Sequence, residues 1–337
     1  MINTSIGLLG VAKQTDKTTP AAEPTFRHGL TGGSLIKPER SVEQKGIACG
    51  LRANTSNSSY VKEVNVAIDC ETMSYADAFG LYSTATLGNC VTTPAAESGY
   101  YKHVITLGST IPYLTFWGQI GDTTQQTVQK AVGCKMDTLN LEFDGNDPLK
   151  VGLTAAGLDA DLFGQFPGSV EPSCFDGYFI PTNGTFKFSA DSQTPVDDIT
   201  ITKGSFELSN SLEGTRGAGK VSPSEISESK LKTSVKVTTV PEDFSPIRRV
   251  LTGSNTGTKL AGKIVYGSAA WSFTHSQDEK CTLEVEFTNV PWTCETPQVS
   301  PDGNAAEVEF SADDIGVASK SGSPIKITLV NKVASYV

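Results

Sequence analysis

The chain has 337 residues, of which 38% are hydrophobic and 19% charged, and a formal net charge of −10. That length buries a core with room for two domains, and the composition is that of a folded protein, which excludes a disordered one. The acidic balance excludes a protein that grips nucleic acid through a basic face, yet suits a surface that DNA passes without sticking.

Residues 1–33, rich in Thr, Pro, Gly and Ala with one apolar patch at Ile6–Val11, predict an extended arm crossing a neighbouring surface. A first ribbon follows, from Leu35 through Val42 to a polar tip and back through the alternating Val64, Val66 and Ile68. From Ser74, a capping residue type, the pattern Tyr75, Ala78, Phe79, Tyr82 predicts a helix that stops at Leu87-Gly88. A strand pair is expected at Tyr101–Leu107 and Tyr113–Ile120, then a short polar surface helix at Thr123–Ala131. Leu139, Leu141 and Phe143 alternate into Asp144-Gly-Asn-Asp-Pro148, and Leu149, Val151 and Leu153 alternate on return, the strongest hairpin signal in the chain. Residues 155–185, with Gly, Pro and several aromatics, are expected to be an irregular connector.

The second half repeats this order. Ile199, Ile201, Phe206 and Leu208 give one strand of a ribbon, Val235 and Val237 the other, and a helical piece from Pro241 ends at Leu251-Thr-Gly253. Leu260–Tyr266 and Ala270–Phe273 match the earlier strand pair in position, and Leu283–Phe287 and Ala306–Phe310 alternate around an Asp-Gly-Asn loop at 302–304. The expected fold is mainly β: two tandem β-sandwich or barrel domains, 1–185 and 186–337, each with a long hairpin and a short helix.

No chemical constellation stands out. Gly214 to Lys220 has most of a phosphate-binding loop, but Val221 replaces the metal-holding hydroxyl and Pro223 follows where a helix should start. Asp144–Asp147 is too compressed for a calcium loop. His28, His103 and His275 lie far apart and read as surface or core residues. The aromatics Phe116-Trp117 and Trp271-Ser-Phe273 read as core or subunit contacts rather than base-stacking platforms. Seven cysteines (Cys49, Cys70, Cys90, Cys134, Cys174, Cys281, Cys294), odd in number and without a CxxC pair, read as reduced thiols of a protein folded in a cytoplasm. The first residues lack the basic flank and apolar length of a signal peptide, so no export is expected and the sequons at Asn3, Asn54, Asn57 and Asn183 carry no glycan. No catalytic residue, cofactor or metal ligand is expected.

The opening Ile6-Gly-Leu-Leu-Gly-Val-Ala-Lys-Gln14, Tyr101-Lys-His-Val-Ile105, Gly133–Leu141 before the Asp-Gly turn, and the stop at Leu251-Thr-Gly253 resemble the tail tube proteins (major tail proteins) of long-tailed bacteriophages. The resemblance spans most of the chain through diffuse motifs. It implies a structural, non-enzymatic virion protein whose sheets join those of neighbouring subunits into a β-barrel around a channel. Stacked rings then form the tail tube that conducts double-stranded DNA into the host without binding it specifically. It further implies a tape-measure protein inside the tube, a baseplate or tip at one end and a terminator at the other, and no membrane. By position, Glu213, Gly214, Thr215, Arg216, Gly217, Ala218, Gly219 and Lys220 would form the loop reaching the next ring. Arg52, Ala53, Asn54, Thr55, Ser56, Asn57, Ser58 and Ser59 would be its first-half counterpart. Rings of this family usually carry six equivalent domains, so a chain supplying two completes a ring with three copies. A hexamer stands if the halves form one enlarged domain. The alternative from another class is a β-sandwich adhesion or decoration module on a virion or cell surface.

Overall fold

A computed structural model of the chain describes residues 7–44, 59–121, 128–168, 173, 176–192, 194, 200–297, 307–317, 319 and 322–336. The fold is mainly β, with two helices among the described residues. In the first half the order is β1 (Gly7–Lys13), β2 (Phe26–Gly29), β3 (Gly32–Gln44), β4 (Ser59–Met73), α1 (Ala76–Leu87), β5 (Gly88–Pro94), β6 (Tyr101–Leu107), β7 (Leu114–Ile120), β8 (Val128–Asp144), β9 (Lys150–Gly157) and β10 (Asp159–Gly164). Then come β11 (Phe179–Ile180), β12 (Phe186–Ser189), β13 (Thr200–Ser209), β14 (Glu213–Thr215), β15 (Glu225–Ser227), β16 (Lys232–Val240) and α2 (Ser245–Thr252). The chain ends through β17 (Gly267–His275), β18 (Thr282–Val290), β19 (Thr293–Cys294), β20 (Val308–Ala312) and β21 (Ile325–Asn331).

One strand order occurs twice. The inner sheet runs β3-β4-β9-β8 and continues as β13-β16-β20-β19. In each set the two strands of a long hairpin come first, then the later of the two remaining strands, then the earlier. The outer layer also repeats, β1-β7-β8-β10 and β12-β17-β18-β21. The long strand β8 serves both layers. Its beginning pairs β7 and β10, and its end, from Lys135, pairs β9 and β13. The segments 1–185 and 186–337 share both sheets: β8 pairs β13, with Leu141 opposite Phe206, and β6 pairs β21, with Ile105 opposite Ile327.

Period-two alternation explains which faces meet. Leu139, Leu141 and Phe143 of β8 and Phe206 and Leu208 of β13 point inward, while Asn140, Glu142 and Glu207 point out. The inward side chains meet an aromatic face on the outer layer. Phe143 stands 5.2 Å from Trp271 and 5.5 Å from Phe273 in edge-on geometry, and Phe287 lies 5.2 Å from Trp271 and 5.7 Å from Phe206. Gly204 on β13 lets them close: a Cβ there would lie 2.5 Å from the Phe143 ring.

The helices follow the hairpins in equivalent positions yet are buried very differently. Every residue of α1 except Asp77 is buried, as expected for a helix apolar on all sides. Its C-terminus stops at Gly88, whose φ of 90° suits glycine. The C-terminal Tyr336 covers it, donating its hydroxyl to the Asp77 carbonyl at 2.9 Å. In α2 only Ile247 is buried.

Several local expectations change. Within the predicted arm, residues 7–13 are instead strand β1 of the chain's own outer layer, between β2 (26–29) and β7, because Leu9 and Val11 alternate into the core; residues 1–6 lie outside the described residues. Residues 128–131 of the predicted polar helix open β8, where Ala131 enters the main core and Val128 packs with Ala12 and Trp117 in a separate cluster; 122–127 lie outside the described residues. The expected strand pair at 101–107 and 113–120 splits between the two sheets, since β6 pairs β5 and β21, and β7 pairs β1 and β8. The connector read as irregular contains β10. Ser74 does not cap α1; its hydroxyl donates to the Phe179 carbonyl at 3.4 Å, and the N-cap residue is Tyr75. Leu260–Tyr266 is not a strand.

Candidate assembly interface

Among the described residues the inner sheet is open at both ends. At one end β3 pairs only β4 among the described residues, and its residues Lys37–Val42 are exposed, Val42 to 56%. Pro38 sits in this strand, which is where a residue without a backbone N–H is tolerated in a sheet. At the other end β20 pairs β16 along its length but meets β19 only at Cys294–Phe310 and Thr293–Ser311. A groove of about 700 Å³ lies beside it, lined by Thr293–Pro297 and by Glu307, Val308, Glu309 and Ser311. Glu295, Glu307 and Glu309 make this groove acidic, whereas β3 presents Lys37 and Arg40 as well as Glu39 and Glu43. An unpaired, long edge is a template for another strand unless something blocks it.

The loop between β13 and β16 is pinned to the first half of the chain. Its strand β14 pairs β15, and beyond it Arg216 donates to Asn65 while the Val221 carbonyl accepts the Val64 N–H at 2.9 Å. Glu213–Lys220 therefore lies against the first ribbon and contains a turn, with the Lys220 N–H donating to the Gly217 carbonyl at 3.0 Å, rather than the start of a helix. Of the counterpart loop, Ser59 opens β4 and is exposed, while Arg52–Ser58 lie outside the described residues.

Two ion pairs hold the returning limb. Lys17 donates to Glu225, which also accepts the Tyr113 hydroxyl at 2.5 Å, and these hydrogen bonds keep the Glu225 carboxyl below its usual value. Lys135, over the Tyr113 ring at 4.8 Å, donates to Glu228. Burial pushes the Glu228 carboxyl up, but hydrogen bonds from Lys135 and the backbone outweigh it and leave it lowered. A carboxyl lowered in the fold stabilises fully above its unfolded value, near 4.5, and loses that contribution as pH falls through the folded value. Glu228→Gln is expected to cost stability at pH 7, toward the lower end of the ~3–5 kcal/mol for breaking a buried pair, and to flatten the acid loss. Denaturant midpoints at pH 7 and pH 3 check this; an unchanged acid slope would refute it.

The three histidines are buried among partners. His28 Nδ1 donates to the Gly29 carbonyl at 2.9 Å, so Nε2 accepts the Tyr82 hydroxyl at 2.6 Å, and burial lowers the imidazole to about 4. His103 bridges Thr92 and Asn331 at 2.9 and 3.1 Å. His275 lines a cleft of about 400 Å³ with Asp77, Asp176, Asp278, Cys281 and Lys332. There Asp278 is held far below the carboxylate range by Tyr100 and Lys332, and burial pushes the Cys281 thiol up to about 12, so it is protonated and a poor nucleophile at neutral pH. Among the described residues no cluster of His, Cys, Asp or Glu is arranged to hold a metal, and no helix is long and apolar enough to cross a membrane.

Sequence reasoning singled out the loop tips and missed the edges. The edges depend on which strands find partners across the chain, and no local pattern encodes that. Neither the family models searched nor the curated proteins compared match this chain.

Proposed function

We propose that the protein is a tail tube subunit whose copies join head to tail through the ends of the inner sheet and close into a ring around a channel. The observation that carries this is the internal seam. Inside one chain, the last strand of the first four-strand set, β8, pairs the first strand of the second set, β13. Repeating that step from chain to chain places the β19–β20 end of one copy against β3 of the next. An interface of this head-to-tail kind makes a ring when its rotation closes, and closure removes the free edges. Three chains then supply six four-strand sets.

The outward face of the inner sheet suits a conduit. It carries small polar residues such as Thr138, Asn140, Gly152, Thr154, Ser205 and Ser234. The exposed Asp69, Glu71, Glu142, Glu207 and Glu307 outnumber Lys150 and Lys232, while Lys203 and Lys236 lie beside Asp144 and Glu309 at 3.0 and 3.8 Å. A wall of this sign repels phosphate. Rings stack through the hairpin loops, with a tape-measure protein inside and tip and terminator proteins at the ends, in the virion tail.

Negative-stain electron microscopy of the concentrated protein tests the proposal. Hollow rings or tubes are the expected result. Monodisperse solid particles at every concentration, even with an initiator complex, would overturn it and favour the adhesion or decoration module.

A further inference from the structure

Resting on that head-to-tail reading, we infer what covers the exposed face of α2: the helix docks against β10 and residues 165–168 of the neighbouring copy. The two helices hold equivalent places. Each follows a hairpin and contacts the strand that ends its four-strand set, α1 on β8 and α2 on β19. α1 is buried because the second half of the chain closes over it. Asn331, the last residue of β21, donates to the Ala76 carbonyl at 3.0 Å, and Tyr336 beyond it donates to the Asp77 carbonyl at 2.9 Å. Both contacts fall on the first turn of α1. The counterpart of β21 is β10: β21 follows β20 and pairs β18, just as β10 follows β9 and pairs the beginning of β8. Within a chain, the step that sets β13 beside β8 also brings β21 to α1. The same step from one copy to the next brings β10 to α2.

The surface around α2 is apolar and open. A groove of about 390 Å³ lies beside the helix, lined by Val250, Leu251, Ile264, Val265, Pro291 and Trp292. The stretch after α2 does not shield it. That stretch folds back on the end of the helix, where the Ala261 N–H donates to the Leu251 carbonyl at 2.8 Å, and leaves Leu260 and Ile264 80% and 65% exposed. Phe244, the N-cap residue of α2, is 58% exposed, whereas Tyr75, the N-cap residue of α1, is buried. Apolar side chains exposed together in this way mark an interaction site. β10 brings the complement. Leu162 is 40% exposed, with the exposed Asp159 and Asp161 on the same strand. Their charge is opposite to that of Arg248 on α2 and Lys263 at the groove. Apolar contact supplies the affinity of such a joint and opposite charges its register.

Photo-crosslinking of the assembled full-length protein tests this. Benzoylphenylalanine replaces Phe244 in one preparation and Val42 in another, and mixed isotope labelling separates links between copies from links within one. The Phe244 position is expected to link to residues 159–168 of another copy, and the Val42 position to residues 293–311 of another copy. Leu162→Asp, a change at an exposed position, should lower the first link at least about fivefold and leave the second unchanged. Links from Val42 between copies, with Phe244 linking only within its own chain or to other residues, would overturn the docking of α2 and leave the ring standing. Loss of both links would remove the ring reading and this inference with it.

Discussion

Trp271→Ala is expected to destabilise the protein by about 3–5 kcal/mol, the range for emptying a large aromatic site in a packed core. The indole is 1% exposed and sits where the two layers meet, edge-on to Phe143 at 5.2 Å and to Phe287 at 5.2 Å. Phe143 comes from β8 and Phe287 from β18, so the ring ties the strand at the internal seam to the outer layer of the second half. Gly204 presses against the same site, which hinders collapse of the resulting cavity. Trp271→Phe should cost much less, because it keeps ring contacts and deletes an indole N–H that has no hydrogen-bond partner among the described residues. Urea titration reads both variants as shifts in midpoint at constant slope. Equal losses for Ala and Phe would show that the ring contacts do not carry the stability.

Reversing the charge at the free edge is expected to act on assembly alone. Arg40 and Val42 are exposed on β3 and contribute nothing to the core, so Arg40→Glu with Val42→Asp should change monomer stability by no more than about 0.5 kcal/mol. The same pair places acid against the groove that carries Glu295, Glu307 and Glu309. Like charges at a strand edge oppose addition, so the concentration needed for assembly should rise at least about tenfold, the factor that ~1.4 kcal/mol makes. Sedimentation velocity across a concentration series measures it. Assembly unaltered from the parent would mean that β3 is not the joining edge.

Where local chemistry dictates structure, the sequence was enough. The alternation of Leu139–Phe143 and Leu149–Leu153 around Asp144-Gly145 forms the β8–β9 hairpin, and Gly145 takes a φ of 56° in its turn. Gly88 and Gly253 both stop helices in the left-handed conformation. Residues placed by distant partners were not legible. β5 and β10 are short and polar, and each is a strand only because β6 or β8 lies beside it. Val128–Ala131 reads as the end of a helix until β7 and β10 flank it. Leu260–Tyr266 is the reverse case, a strand pattern that does not form a strand and whose Ala261 N–H donates instead to the Leu251 carbonyl at the end of α2, at 2.8 Å. At the candidate interface, the loop Glu213–Lys220 was legible from its glycines, but Lys17, Tyr113 and Lys135, which anchor its returning limb, come from residues that no spacing rule connects to it.

The way the C-terminus closes over α1 bears on synthesis. Asn331 reaches His103 across 228 positions and Tyr336 reaches Asp77 across 259, while β21 is the strand that joins β6 to β18. A polypeptide emerging from the ribosome therefore holds its first helix uncovered and its outer layer divided until residues 325–336 are free. Contacts of such long range make folding slow. They also leave α1 and the outer layer incomplete until residues 325–336 dock, which makes the docking of that segment a late step in folding.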